Sequence, residues 1–216
     1  MRAGSMPRMT KTFVAIAVPE LLGAKLARLQ RLLAPEVPGV RWSMIPPFHL
    51  TLAFLGDVAD DDLKPLCEAV AEASADFEPF ELRLEGLGVF PDPARARVAW
   101  VGLTGPGLSA LMDIRERVAS AATETLSLPV DSRFNPHVTL GRLKVDRRNP
   151  LDLTSLLKHY RTWSAGAFPV TEVITFASTM TPDGPAYARL GTAPLREVTD
   201  GVGSPIPSVD PAGDET

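Results

Sequence analysis

A short pattern of residues occurs twice in this chain and constrains the fold more than any other feature. The first copy, residues 48–52, reads Phe-His-Leu-Thr-Leu, and the second, residues 136–140, reads Pro-His-Val-Thr-Leu. Because side chains alternate between the two faces of a strand, the His and the Thr of each copy share one face. Two of the three histidines, His49 and His137, occupy this frame. The repeat therefore predicts two equivalent strands, each presenting an imidazole beside a hydroxyl.

Apolar periodicity around the repeat predicts alternating strands and helices. The predicted strands cover residues 12–18, 40–43, 48–55, 80–85, 97–103, 137–142, 170–177 and 187–190, and the predicted helices cover residues 22–33, 60–75, 105–125 and 153–160. Gly86 and Gly88 are expected to end the strand that begins at Phe80. This order predicts an α+β fold with two lobes, each a mostly antiparallel sheet with helices on the outside. The two histidine strands are expected to be the central strands of the lobes and to face each other across a cleft.

The ends of the chain differ in composition from its middle. Residues 1–11 are predicted to form a flexible N-terminal tail, and residues 196–216, rich in Gly, Pro, Ser and Asp, a disordered C-terminal tail. Residues 12–195 then form a single bilobal domain. The chain has no run of about 18 apolar residues and only one cysteine, Cys67. We therefore expect a cytoplasmic monomer without a membrane segment or an internal disulfide.

Charge and motif content exclude several classes of function. A net charge of −4 gives no overall attraction to nucleic acid, so any RNA contact has to be local, with the basic loop of residues 144–150 as one candidate. No Cys, His and carboxylate residues cluster at metal-ligand spacing, so we expect no metal and no cofactor. No Gly-x-Ser-x-Gly pattern is present, and Cys67 lies on a predicted helix, which disfavours a nucleophilic enzyme.

The paired histidines suit displacement at phosphorus. A histidine, with an unperturbed pKa of about 6.5, can act as a base or as an acid near neutral pH. One imidazole of a pair can take a proton from an attacking water while the other gives a proton to the leaving oxygen. The hydroxyls of Thr51 and Thr139 can donate to the non-bridging phosphate oxygens. His49 and His137 are therefore the candidate catalytic residues, and the two threonines are candidate phosphate ligands.

Further candidates flank the two copies. Arg142 and Arg41 are candidate counter-charges for phosphate, since a guanidinium binds it through two hydrogen bonds. Strand alternation places Arg142 on the face opposite His137, unless Gly141 introduces a bulge. Arg41, Trp42 and Phe48 are candidate RNA contacts, because aromatic side chains stack on the bases of single-stranded RNA. The alternatives are a solvated rim for Arg41 and core packing for the aromatic residues.

The chain resembles the two-histidine (2H) phosphoesterase superfamily, and within it the bacterial and archaeal RNA 2′,3′-cyclic phosphodiesterases, also called 2′-5′ RNA ligases. The resemblance covers residues 12–195 and is carried by the repeat and by Phe-Val-Ala-Ile at 13–16, Arg-Trp at 41–42, Phe-Leu-Gly at 54–56, Gly-Leu-Gly-Val-Phe-Pro at 86–91, Val-Ala-Trp-Val-Gly at 98–102 and Gly-Arg at 141–142. The chain departs from the family at Phe48, where many relatives have Leu, and in its long C-terminal segment.

The resemblance implies metal-independent hydrolysis of a terminal 2′,3′-cyclic phosphate on RNA to a 2′-phosphomonoester, with reversible 2′-5′ joining as a side activity. It assigns the acid role to His49 and the base role to His137, while the residues alone make the two nearly symmetric. Two alternatives stay open. One is a 2H enzyme that acts on a small cyclic phosphate or nucleotide, and the other is a non-catalytic module that binds RNA ends.

Overall fold

The computed structural model describes residues 8–43, 47–131, 133–143, 152–182 and 184–196. The predicted loop at 144–150, the first part of the predicted N-terminal tail and almost all of the predicted C-terminal tail lie outside these residues. The described strands are β1 (Met9–Ala17), β2 (Val40–Trp42), β3 (His49–Ala59), β4 (Phe80–Phe90), β5 (Val98–Thr104), β6 (His137–Leu143), β7 (Ser164–Val170), β8 (Glu172–Thr181) and β9 (Gly184–Pro194). The described α-helices are α1 (Glu20–Leu33), α2 (Leu63–Ser74), α3 (Leu108–Leu126) and α4 (Thr154–His159).

The strands form an antiparallel sheet in the order β7-β4-β5-β6-β3-β1-β8-β9, with β2 paired to β6. Between β6 and β3 a single residue pair, Leu50 with Val138, makes the connection. This narrow link divides the sheet into a first half-sheet, β3-β1-β8-β9, and a second half-sheet, β7-β4-β5-β6-β2. Helices α2 and α3 pack on the first half-sheet, whereas α1 and α4 contact the second.

The predicted two-lobed α+β fold, with helices outside and a cleft between the lobes, is confirmed. One detail differs from the sequence-based expectation. The histidine strands β3 and β6 are neighbours at the junction of the two half-sheets, not the central strands of two separate sheets. The residues of the link, Leu50 and Val138, are almost fully buried, and each directly follows a histidine. The link therefore holds His49 and His137 close together.

A bulge interrupts the pairing of β6 with β5. Thr139 lies opposite Trp100 and Gly141 lies opposite Ala99, so Leu140 is the extra residue. A bulge changes which face the following side chains take. Arg142 consequently lies on the same face as His137, as the conditional prediction about a bulge required.

Strand β3 has the same irregularity at the matching position. Thr51 pairs with Ala15 and Ala53 pairs with Val14 of β1, so Leu52 is the extra residue. Phe54 is therefore the counterpart of Arg142 in the first half-sheet. The repeat thus extends beyond the shared sequence frame to a shared backbone irregularity.

Three strands differ from the sequence-based expectations in ways that the structure explains. Strand β4 does not end at Gly86 but continues through a bulge there, where the glycine has a φ of 77°, and through Gly88, whose Cα faces the Trp100 ring too closely for any Cβ. Strand β7 was not predicted, because its Pro169 is unfavourable in most strands and is tolerated here at the sheet edge. Strand β1 begins at Met9, so residues 9–11, predicted as tail, pair with β3.

The buried faces of the helices follow the predicted leucine spacing. On α1 the buried apolar positions are Leu22, Leu26, Leu29 and Leu33. Gln30 is buried on the same helix, at 5% exposure, which the apolar pattern does not indicate. Within the described residues, no helix is both long enough and apolar enough to cross a membrane.

Candidate active site

A cavity of about 390 Å³ lies at the junction of the two half-sheets and contains both repeated motifs. His49 and Thr51 reach it from β3, and His137 and Thr139 reach it from β6. This convergence follows from the alternation of side chains along each strand and from the Leu50–Val138 link. Two imidazoles and two hydroxyls therefore share one small volume.

Each imidazole is held by the backbone two residues before it. Nδ1 of His49 lies 3.0 Å from the carbonyl oxygen of Pro47, and Nδ1 of His137 lies 2.7 Å from that of Asn135. Because a carbonyl oxygen can only accept, Nδ1 carries the proton in both contacts. In the neutral ring Nε2 is then the free acceptor. Both histidines are therefore fixed in the tautomer that leaves Nε2 available for proton transfer.

Aromatic rings surround His49. The ring centroid of Phe13 lies 4.9 Å from that of His49, and the centroid of Tyr187 lies 5.1 Å away in an edge-on arrangement. This burial lowers the pKa of His49, the hydrogen bond to Pro47 opposes the shift, and the nearby His137 lowers the pKa further. The environment therefore favours the neutral form of His49.

His137 has a different setting. Phe90 meets its ring edge-on at 5.0 Å, and Trp100 lies tilted at 6.1 Å. The Trp100 ring rests on Gly88 of β4, where a Cβ would be only 2.1 Å from the indole. Gly88 thus lets Trp100 lie flat in the second half-sheet, where it supports His137 from the side.

Two arginines bring positive charge to the cavity. Arg41 of β2 and Arg142 of β6 are directly paired across the strands, and both line the cavity. The guanidinium of Arg142 also acts on Tyr187, since burial raises the pKa of the tyrosine hydroxyl and Arg142 lowers it in part. The close approach of β2 requires Gly141, because a Cβ there would lie 2.8 Å from Val40 and 3.0 Å from the Arg41 carbonyl oxygen.

The β6 bulge is supported by the buried Gln30. Its amide donates to the carbonyl oxygen of Leu140 at 2.8 Å and to that of Ser43 at 2.9 Å. The backbone N–H of Ser43 also donates to the Leu140 carbonyl, at 2.8 Å. These bonds satisfy the carbonyl groups where β2 and β6 meet. Gln30 is therefore a positioning residue for Arg142.

The structure brings every sequence-predicted site residue to this cavity, since Arg41, Trp42 and Phe48 line it together with the histidines, threonines and Arg142. Sequence reasoning missed the lining residues from β1, from β3 beyond the repeat and from the β8–β9 pair. These are Phe13, Phe54, Ser178, Met180, Gly184, Pro185 and Tyr187. Phe13 and Tyr187 lie in strands without a polar motif, so only the fold relates them to His49. Phe54 carried a signal in the repeat, because it follows the first His at the same spacing as Arg142 follows the second.

No carboxylate or thiol occurs among the described residues that line the cavity. Across the described ranges as a whole, no group of three or more His, Cys, Asp or Glu side chains converges in a way that could hold a metal ion. The groups available for chemistry at this site are thus imidazoles, hydroxyls and guanidiniums. They form a set that binds an anion and moves protons.

Comparison with known proteins gives the class of this site. The sequence model of the LigT like phosphoesterase family matches residues 16–100 and 101–187, so that each matched segment contains one histidine motif. The chain therefore belongs to the LigT-like phosphoesterases, which are 2H enzymes.

Individual relatives agree with this membership. A protein of Aeropyrum pernix named RNA 2′,3′-cyclic phosphodiesterase is 36% identical over 168 residues, which cover 77% of this chain and 92% of that protein. A protein of the same name from Aquifex aeolicus is 31% identical over 182 residues, covering 83% and 94%. The solved structure of TT0787 from Thermus thermophilus superimposes with a TM-score of 0.69 at 27% identity and covers 86% of this chain and 98% of that one.

Proposed function

We propose that this protein hydrolyses the 2′,3′-cyclic phosphate at the end of an RNA to a 2′-phosphomonoester, without a metal ion. The observation that carries the proposal is the convergence of His49 and His137, both anchored through Nδ1, in one cavity lined by Arg41 and Arg142. The relatives named RNA 2′,3′-cyclic phosphodiesterase support the choice of substrate.

The reaction needs one proton taken and one proton given. A water oxygen bonds to phosphorus while the bond from phosphorus to O3′ breaks, and the phosphate stays on O2′. One imidazole accepts the proton of the water, and the other donates a proton to O3′. Because the attacking and leaving oxygens lie on opposite sides of phosphorus, a pair of imidazoles from two strands is suited to this division. The same steps, with an RNA 5′-hydroxyl in place of water, give 2′-5′ joining.

The remaining polar groups stabilise the phosphate. In this proposal the hydroxyls of Thr51 and Thr139 donate to the non-bridging oxygens, where negative charge grows in the transition state. Arg142 and Arg41 balance the charge of the phosphomonoester that forms. Trp42 and Phe48, at the same cavity, offer aromatic surface to the terminal base.

The surroundings of the histidines bear on which of them is the base. Burial favours neutral His49, and a neutral imidazole is the state that a base requires. In the free protein this suits His49 to the base role, whereas the resemblance implies that it is the acid. A bound phosphodiester anion favours protonation of His49 and opposes this effect. Role assignment therefore needs a substrate whose leaving group requires no acid.

Phosphorus NMR of a short RNA with a 2′,3′-cyclic phosphate tests the proposal directly. With EDTA present, the wild-type protein is expected to produce a 2′-monophosphate, and the His137→Ala variant is expected to leave the cyclic ester intact. Survival of the cyclic phosphate with the wild type would contradict the proposal, and a 3′-monophosphate would contradict the direction of ring opening. A cytoplasmic location and a monomeric state remain predictions that this experiment does not address.

A further inference from the structure

A second cavity, of about 240 Å³, opens beside the catalytic one. The two cavities share the residues Thr51, Phe54 and His137, so they are adjacent. The second cavity is formed mainly by residues 51–54 of β3, by the segment that leads into β6 and by Arg115 from α3. A chain that ends at the catalytic histidines can extend into this space.

Basic side chains give the second cavity a positive character. Arg115 packs over the Phe134 ring, with Cζ 5.3 Å from the ring centroid, and its guanidinium donates to the Asp131 carbonyl oxygen. Its Nε is buried and has no hydrogen-bond partner among the described residues. Exposed Arg133 bonds the Asp131 carboxylate through Nε at 3.4 Å. Arg115 bonds the Asp131 backbone and Arg133 bonds its carboxylate, so two positive charges stand beside one negative charge.

Aromatic surface accompanies this charge. The side chain of Phe54 is 63% exposed, although it is apolar and lies in the middle of a strand. It occupies the place in β3 that Arg142 occupies in β6, on the wall between the two cavities. Phe90 and Phe134 also line the second cavity. Exposed aromatic rings beside guanidiniums are the combination that binds single-stranded nucleic acid, through base stacking and phosphate contacts.

We propose that the second cavity binds the nucleotide on the 5′ side of the terminal nucleotide, which bears the cyclic phosphate. The base of this penultimate nucleotide lies on Phe54, and its phosphate lies against Arg115 and Arg133. This inference rests on the proposed function and extends it, since it makes the substrate an RNA chain and not a mononucleotide. The enzyme then distinguishes an RNA end from a free cyclic nucleotide by contacts outside the catalytic cavity.

The test compares cytidine 2′,3′-cyclic phosphate with a trinucleotide that ends in the same group, using the full-length chain. We expect wild-type kcat/KM to be about tenfold or more higher for the trinucleotide, because stacking one base and contacting one phosphate have that combined effect. Arg133→Gln, which removes a proposed phosphate contact, and Phe54→Leu, which removes the proposed stacking surface, are expected to remove most of this ratio. Arg28→Gln, which changes an exposed arginine on α1 away from both cavities, is the matched control and is expected to keep the ratio.

A binding measurement separates this inference from the proposed function. Fluorescence anisotropy with a labelled trinucleotide 2′-phosphate, and competition by cytidine 2′-phosphate, require no turnover. Tighter binding of the trinucleotide that depends on Arg133 supports the second subsite, even if neither cyclic phosphate is hydrolysed. Absence of hydrolysis would contradict only the proposed function. Equal affinities for the two ligands, or an equal loss for both in Arg133→Gln, would overturn the inference.

Discussion

The two histidine strands have matching backbone conformations but differ in the residues that surround them. Both place His and Thr on one face, both anchor Nδ1 on the carbonyl two residues earlier, and both have a bulge at the Leu that follows the Thr. His49, however, lies among the rings of Phe13 and Tyr187, and its strand continues to Phe54, whereas the strand of His137 continues to Arg142. Repetition supplies matched geometry, and the neighbouring strands supply the difference between the two imidazoles.

Removing either imidazole should have the largest effect. His49→Ala and His137→Ala are each expected to lower kcat by about 10²–10⁴-fold, since general acid and base catalysis contribute that much. His159→Ala is the matched control, because that exposed histidine lies on α4. A phosphodiester with a nitrophenolate leaving group sharpens the comparison, since the variant that lacks only the acid should recover activity. Full activity of either variant on the cyclic phosphate would exclude the mechanism.

The two threonines test whether the half-sheets contribute equally to charge stabilisation. Thr51→Ala and Thr139→Ala are each expected to cost about 2–4 kcal/mol of transition-state stabilisation, measured as kcat/KM. Thr→Ser at either position keeps the hydroxyl and should retain most of the activity. A similar loss in the Ser and Ala variants would show that the methyl group, and thus packing, is what the site requires.

Substitution of Arg142, whose counterpart in β3 is Phe54, tests the difference between the two strands. Arg142→Gln is expected to lower kcat/KM by a factor that corresponds to about 1.5–3 kcal/mol of transition-state stabilisation, because a hydrogen bond to a charged group is lost. Arg142→Lys should recover only part of this, since an ammonium group cannot form the two parallel bonds of a guanidinium. If Arg142→Gln had no effect while Arg41→Gln did, the paired arginine on β2 would be the phosphate ligand instead.

The bulge in β6 can be weakened by removing the hydrogen bond from Gln30 to Leu140. Gln30→Leu leaves the carbonyl oxygen of Ser43 without this donor and removes one of two donors from Leu140, and should cost about 1–3 kcal/mol of folding stability. Because this bulge directs Arg142 into the cavity, KM for the cyclic phosphate is expected to rise as well. Denaturant unfolding and steady-state kinetics on the same preparation measure both. A loss of stability with KM unchanged would show that Gln30 supports the fold but not the position of Arg142.

The smallest effect expected is a shift in titration. Burial lowers the pKa of His49, so its neutral form persists to lower pH than in an unfolded chain. The folded state is then penalised once the pH falls below the unfolded pKa of about 6.5, because the unfolded chain binds the proton more readily. NMR titration of the imidazole protons should show His49 titrating at lower pH in the wild type than in Tyr187→Ala. An unchanged midpoint would assign the shift to other neighbours.

Local patterns predicted the residues that come from the repeat and its flanks. His49, Thr51, His137 and Thr139 could be placed on shared faces because strand alternation is a local rule. Arg142 depended on a bulge, which the sequence permitted through Gly141 but did not require. The structure was needed to decide it.

The remaining site residues come from tertiary structure. Phe13 and Tyr187 contact His49 because β1, β8 and β9 follow β3 in the order of the sheet. No local pattern specifies that order. Gln30 resembles any polar residue on a helix until the fold places it against the carbonyl of Leu140. Tertiary pairing also explains the strand errors, since the continuity of β4 depends on Trp100 covering Gly88.

The single backbone pair between Leu50 and Val138 has a mechanical consequence. The backbone contributes one residue pair there, so the two half-sheets are held together chiefly by side chains, in one continuous apolar core that includes Leu50 of β3 and Val138 of β6. The two histidines stand one residue from that buried pair, whereas lining residues such as Met180 lie two strands away from it. A substitution at Leu50 or Val138 would therefore change the spacing of the imidazoles before it changed the far wall of the cavity.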